Sequence, residues 1–420
     1  RALDELPGVG AIVTGEDDER IMRLFRMLRG EIDRRARLYA DARATSISEF
    51  RQTPGNEREP RILLLIDNFG AFRENWEIPV GRNEWYRVFQ DVVALGRPLG
   101  IHVVLTSDRF ASLSSAIASG IQRRVVLRMA DDTAYAALDV PTDVLTEDSP
   151  AGRAMVQGRE TQLGILGGSS AAADQTAALS ALAARLREIG ATAAPGIPAL
   201  PAVVRLDSLP ATRDHGIVIG LAEETLEPAA IIPTGAFVVA GPPGSGRSNA
   251  LAVIAERAFA LPGHAVYFFG PRRSPLAGDP RFAATAGSAE EAAALAKLLV
   301  SIAADPQSES RCVVLIESIG DYLQTPADTP LVDMVRQFKR EEHFVVAEAE
   351  SSSWVSSWPL FGEFKNARRG LLLQPDQADG DVILKTSLPR VKRADFPEGR
   401  GVVVGGGKAG RVQVALATAR

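Results

Sequence analysis

Residues Gly241 to Ser248 read GPPGSGRS, between an apolar run, Ala236 to Ala240, and an alanine-rich stretch of helical character that starts at Asn249. A strand, a glycine-rich turn and a helix in that order make an anion cradle, because backbone N–H groups and the helix N-terminus converge on one point. The P-loop pattern is G-x-x-x-x-G-K-[ST]. This chain supplies Gly241, Gly246 and Ser248 but puts Arg247 where the lysine belongs. The expected chemistry is phosphate binding by Gly241, Pro242, Pro243, Gly244, Ser245, Gly246, Arg247, Ser248 and Asn249. The competing reading is a glycine-rich turn without a ligand.

A second set of residues could serve the same chemistry. Ile62 to Ile66 is an apolar run ending in Asp67, and Val313 to Ile316 is another ending in Glu317. Such runs in parallel α/β sheets are buried central strands. An acid at the strand's C-terminal end stands beside the phosphate loop, where with the loop hydroxyl of Ser248 it can hold magnesium. Alternatively, such an acid only starts a turn. Ile101 to Leu105 predicts a further strand, followed by Thr106, Ser107, Asp108 and Arg109, which could sense a nucleotide or cap the next helix. Arg123, Arg124 and Arg128 cluster around a third strand. They are surface charges or, with Arg109 and Arg368, candidates for a sensor or an arginine finger.

The elements that must position these residues come twice. PAGRAMVQG at Pro150 and PEGRGVVVG at Pro397 share one pattern, as do the segments around Arg123 and Arg368, and Asp67 matches Glu317. The three separations are 247, 245 and 250 positions, so the chain is expected to hold two copies of one domain. The first, residues 1–166, lacks a phosphate loop at its front. Its opening is a long helix with Ile21, Leu24, Phe25, Leu28 and Ile32 on one face. Residues 167–201 read as a semi-rigid linker with a short helix carrying Leu179, Leu182, Leu186 and Ile189. The second copy, 202–420, is a complete α/β unit.

Composition bounds the rest. No apolar run reaches the roughly 18 residues of a membrane span, and a net charge of −5 over 420 residues gives no bulk attraction to nucleic acid. A single cysteine, Cys312, excludes an internal disulfide framework, and four scattered histidines make a metal site of histidine and cysteine unexpected. The chain opens with Arg1, which reads as a soluble piece of a longer polypeptide.

The order LPGVGAIVTG, EIDRRARLYADARATSISEFR, RILLLIDNF, GRPLGIHVVLTSDR and IQRRVVLRM resembles the rear two-thirds of an FtsK/SpoIIIE-type ATPase domain. The second copy, with IVIGLAEETLEPAAI, the P-loop and FPEGRGVVVGGGKAGRVQVAL, resembles the last ATPase domain of the EccC/EssC proteins of type VII secretion. The resemblance implies tandem P-loop NTPase (RecA-like) domains with mostly parallel sheets flanked by helices, and ATP with Mg as ligands. It also implies placement on the cytoplasmic side of the cell membrane, within a membrane secretion complex. The expected partners are hexameric assembly with other subunits of the same protein and small helical-hairpin export substrates. A DNA translocase of the FtsK type and a nucleotide-free docking scaffold stay open as alternatives.

Departures from the family pattern bear on catalysis. Domains that hydrolyse well carry the loop lysine and an Asp-Glu pair at the second acid position; here stand Asp67-Asn68 and Glu317-Ser318. Asn68 can hydrogen-bond a water but not take its proton, and Ser318 is shorter still. Arg247 replaces a compact ammonium by a planar fork. Slow or absent hydrolysis is therefore expected in the second copy. Trp354 and Trp358 read as core packing or as a partner-binding surface.

Overall fold

The computed structural model describes residues 2–130, 133–305, 310–389 and 391–417. It divides into two compact units, Arg1–Pro198 and Ala199–Arg420, each a mixed α/β body.

In the first unit the helix Asp18–Asp41 starts at Asp17, whose carboxylate accepts the Arg20 N–H. Ile21, Phe25, Leu28 and Ile32 recur at helical spacing and are buried against Phe69, Trp76 and Phe89. Arg35, on the same helix, is completely buried. Its guanidinium donates to the carbonyls of Leu99 (2.9 Å) and Pro60 (2.8 Å) and meets the carboxylates of Glu31 (3.0 Å) and Glu59 (3.2 Å). One cation thus fastens the chain just ahead of the strands Ile62–Ile66 and Ile101–Leu105, which pair in parallel from Ile62 with Ile101 to Ile66 with Leu105.

The expected burial of Ile62–Ile66 holds on one face only. Leu63 (58%), Leu65 (60%) and Val104 (50%) are exposed. Their counterparts by register in the second unit, Val313, Leu315 and Val346, are fully buried in one cluster with Ala250, Leu251, Val253 and Ile254. Those four lie on the helix that follows the glycine-rich loop. The described residues of the first unit include no such loop and helix, so the matching face stays open.

The repeated P-x-G-R pattern builds the same turn in both units. Arg153 and Arg400 each donate their N–H to the proline three residues earlier at 3.0 Å. Gly152 and Gly399 sit at φ 83° and 74°, a region that costs glycine nothing. Each turn opens a hairpin, Arg153–Val156 with Arg159–Gln162 and Arg400–Gly405 with Lys408–Val414.

Residues 167–198 belong with the first unit. The helix Ala172–Glu188 buries Ala183 while Leu182 (37%) and Ile189 (73%) are exposed. Beyond it, Ala194 N–H donates to Pro7 O (2.7 Å) and Arg20 Nε to Ile197 O (2.7 Å).

The second unit carries a sheet of eleven strands. Its parallel half runs Ala284–Ala286, His264–Phe269, Arg311–Ile316, Phe344–Glu350, Gly235–Gly241, Gly370–Leu373. From there it turns antiparallel through Arg400–Gly405, Lys408–Val414, Gly216–Ala222 and Thr212–Arg213, with Pro228–Ile231 also on Gly216–Ala222. Gly235–Gly241 is central, and its uninterrupted apolar sequence follows from burial on both faces. The helix Arg247–Phe259 covers one face and buries three alanines, Ala250, Ala255 and Ala258, small enough for the helix to lie close to the strands. Helices Ala289–Ala303 and Asp328–Arg340 pack on the opposite face, with Leu299, Leu331, Val335 and Phe338 fully buried.

Trp354 and Trp358 separate. Trp354 is fully buried with its ring edge-on to Phe361 at 4.8 Å, whereas Trp358 is 41% exposed. Trp354→Ala is therefore expected to destabilise the second unit by about 3–5 kcal/mol, and Trp358→Ala by about 1 kcal/mol or less. Denaturant unfolding of the two variants checks the split.

Candidate functional site

The loop leaves the C-terminal end of the central strand Gly235–Gly241, the end at which parallel α/β sheets bind ligands. Gly244 (φ 75°) and Gly246 (φ 95°) both take the left-handed conformation. Gly246 is the N-cap of Arg247–Phe259, so the helix starts two residues before the sequence suggested. Gly241 is needed for close approach: a Cβ there would come within 2.4 Å of Ser245 Oγ and 3.0 Å of Leu373 O. Gly399 of the repeated turn closes the loop from outside, its N–H donating to Ser245 O at 3.0 Å.

Two polar atoms inside this arrangement are buried without a partner, Ser245 Oγ and Glu317 Oε2. Buried polar atoms in folded proteins are nearly always satisfied, so two orphans at the same end of the sheet, following strands separated by Phe344–Glu350, fit a place for a ligand. Pro243, Gly244 and Ser248 are exposed along the loop. Asn249 is committed elsewhere: its side chain donates to Ala415 O (2.8 Å) and accepts from Ala417 N (2.9 Å), fastening the C-terminal strand to the helix.

Arg247 does not reach out of the loop. Its guanidinium donates to Gly241 O (2.6 Å) and meets the carboxylate of Glu348 at 2.7 Å, with Glu350 at 3.7 Å. Glu348 and Glu350 lie on Phe344–Glu350, whose parallel register sets them opposite Val239 and Gly241 of the loop strand. Glu348 is 4% exposed, and its other oxygen accepts the Ser318 N–H at 3.0 Å. Burial pushes its carboxyl above the usual range; the Ser318 N–H and Arg247 oppose this, and Glu317 and Glu350 add to it. In the sequence Glu348 is only the acid that follows the apolar run Phe344 to Ala347. The signal available was the strand pairing, which alone reveals that it faces Arg247.

The raised carboxyl has a pH consequence. A group whose folded pKa lies above its unfolded value contributes stability that is complete below the unfolded pKa and lost as pH rises through the folded one. The second unit is thus expected to lose stability as pH climbs above the ordinary carboxylate range, and Glu348→Gln to reduce that slope. Thermal unfolding of both proteins across this range gives the test; identical slopes would assign the dependence to other groups.

In the first unit the counterpart of Glu348 by register is the neutral Thr106. Asn68 (φ 58°) and Ser318 (φ 52°) share the left-handed conformation directly after their acids. Asn68 N–H donates to Thr106 Oγ1 (2.9 Å), as Ser318 N–H does to Glu348, and Thr106 Oγ1 donates to Asp67 Oδ1 at 2.5 Å. The Asn68 side chain accepts the Ala71 N–H and starts the helix Phe69–Trp76. Ser107 Oγ donates to Arg109 O, and Arg109 begins the next short helix with no side-chain cap. Arg109, Arg123, Arg124 and Arg368 are all exposed, Arg124 with its guanidinium 5.6 Å from the centre of the Phe110 ring.

The described residues contain no group of three or more His, Cys, Asp and Glu side chains arranged to hold a metal ion by themselves. No helix among them is long and apolar enough to cross a membrane.

No protein-family model matches the chain. The type VII secretion system protein EssC of Staphylococcus aureus (strain NCTC 8325 / PS 47) is 28% identical over 129 residues, 31% of this chain and 8% of EssC. The ESX-1 secretion system protein EccCb1 of Mycolicibacterium smegmatis is 24% identical over 220 residues, 49% of this chain and 35% of EccCb1. These matches therefore span well under half of either relative. Among solved structures, Thermomonospora curvata EccC (ATPases 2 and 3), in complex with a signal sequence peptide, superposes with a TM-score of 0.74 at 21% identity. That likeness covers 100% of this chain and 80% of the EccC chain. In sequence this chain is similar to the type VII secretion proteins EssC and EccCb1, and in fold it is similar to the paired ATPase domains 2 and 3 of EccC.

Proposed function

We propose that the second unit binds ATP with magnesium in the loop Gly241–Ser248 and holds it as a structural or regulatory ligand rather than turning it over. The observation that supports this most is the cradle at the central strand end, with Ser245 Oγ unpartnered in it and Glu317 Oε2 unpartnered at the same end of the sheet, two strands along. Backbone groups of Pro243 to Ser248 and the helix N-terminus would hold the phosphates. Ser248 and Glu317 would approach the magnesium ion, which supplies charge neutralisation when bound. Ser318 stands where a water-positioning acid would follow Glu317, and the carboxylate of Glu348 is engaged with Arg247. Losing such an acid–base group typically costs about 10²–10⁴-fold in rate.

In the whole protein this segment would belong to a membrane-anchored, hexameric type VII secretion ATPase on the cytoplasmic side, regulating a motor domain and receiving small helical-hairpin substrates. Arg109, Arg123, Arg124 and Arg368, all exposed, are the candidates to reach a neighbouring subunit. Calorimetric titration with MgATP tests the binding reading. Saturable binding in this chain, absent from Gly241→Val, supports it. No binding by the wild-type chain leaves a docking scaffold, and DNA-stimulated ATP hydrolysis leaves a nucleic-acid translocase.

A further inference from the structure

A phosphate loop needs its cation for the phosphate, yet here the cation already has an anion. Arg247 is bracketed by Gly241 O at 2.6 Å and the Glu348 carboxylate at 2.7 Å, with Glu350 behind at 3.7 Å. Glu348 is no incidental surface partner. It is 4% exposed, fixed by the Ser318 N–H at 3.0 Å, and stands on the strand hydrogen-bonded to the loop strand. Glu317, on the strand beyond, brings a third carboxylate to the same end of the sheet.

Resting on the nucleotide reading above, we propose that Glu348 is a built-in competitor for Arg247, and that its carboxylate sets the affinity of the second unit for the phosphates of a nucleoside triphosphate. An incoming phosphate must draw Arg247 off Glu348 and leave that carboxylate buried beside other negative charges. The affinity measured is the intrinsic one multiplied by the fraction of molecules in which Arg247 is released. The first unit shows what the position looks like without the competitor. There Thr106 Oγ1 accepts the same backbone N–H at 2.9 Å and donates its own O–H in a hydrogen bond to the strand-end acid Asp67. A threonine is therefore a side chain this fold already accommodates at that point. In the second unit it would also offer a hydroxyl toward Glu317, whose Oε2 has no partner.

The test is the dissociation constant for MgATP of the full chain, of Glu348→Thr and of Glu348→Gln, measured by calorimetry with circular dichroism as the check on folding. Glutamine keeps an acceptor for the Ser318 N–H and removes the charge, so it serves if the threonine variant fails to fold. Both substitutions are expected to tighten binding by about tenfold or more, the gain that follows if Arg247 is released in roughly a tenth of wild-type molecules. A wild-type chain that binds, with variants that bind equally or more weakly, overturns the competitor role and leaves the nucleotide reading standing. If neither wild type nor variants bind MgATP, the nucleotide reading falls and this inference with it.

Discussion

Arg247→Ala is expected to weaken MgATP binding by about 10–100-fold, the range for losing a hydrogen bond to a charged group. The same substitution is expected to destabilise the second unit by about 3–5 kcal/mol, because Glu348 would be left buried without its cation. The two losses have different origins and can be separated. In the double variant Arg247→Ala with Glu348→Thr the stranded charge is gone, so stability should recover most of the loss while nucleotide affinity stays low. A single-variant stability loss without an affinity loss would show that Arg247 only neutralises Glu348 and never meets a phosphate. Denaturant unfolding and calorimetry on the same preparations give both readings.

Gly246→Val is expected to abolish binding outright. At φ 95° the residue lies where an L side chain is strained by roughly 1–3 kcal/mol. A Cβ would also press within 3.3 Å of Gly399 N, the group that closes the loop by donating to Ser245 O. Relief requires either the loop or the Pro397–Arg400 turn to move, and either movement rebuilds the cradle. The expected signature is no heat on titration with MgATP, together with a stability loss of a few kcal/mol by those same costs. Retained binding would place the ligand outside the loop.

Much of this arrangement was readable from residue order because local signals and tertiary structure agree. Ile62–Ile66 and Ile101–Leu105 are strands to the residue, since the first is an unbroken aliphatic run, the second is interrupted only by His102, and polar residues end both. The face of Asp18–Asp41 carrying Ile21, Phe25, Leu28 and Ile32 is the buried one, as its spacing implies. The P-x-G-R repeat predicted matching structure, and both copies build the same turn with a left-handed glycine. What stayed hidden depends on neighbours that are remote in sequence. Glu348 meets Arg247 across a parallel strand pair 101 positions away, and no periodicity reports such a contact. Asn249, included in the loop by proximity in sequence, turns instead to Ala415 and Ala417 at the far end of the chain. Leu63 and Leu65 read as core because their composition is that of a central strand; burial also needs a covering helix, which the second unit has and the described first unit lacks.

The central property at stake is whether the second unit keeps its nucleotide intact. The measurement is to saturate the chain with MgATP, remove free nucleotide rapidly, and identify what remains bound over hours while phosphate release is followed in parallel. Retention near one nucleotide per chain, largely as ATP, with release no faster than from the Gly246→Val variant, is the result predicted. Rapid conversion to ADP with phosphate released at many turnovers would contradict it, showing that Glu317 and Ser318 suffice for hydrolysis.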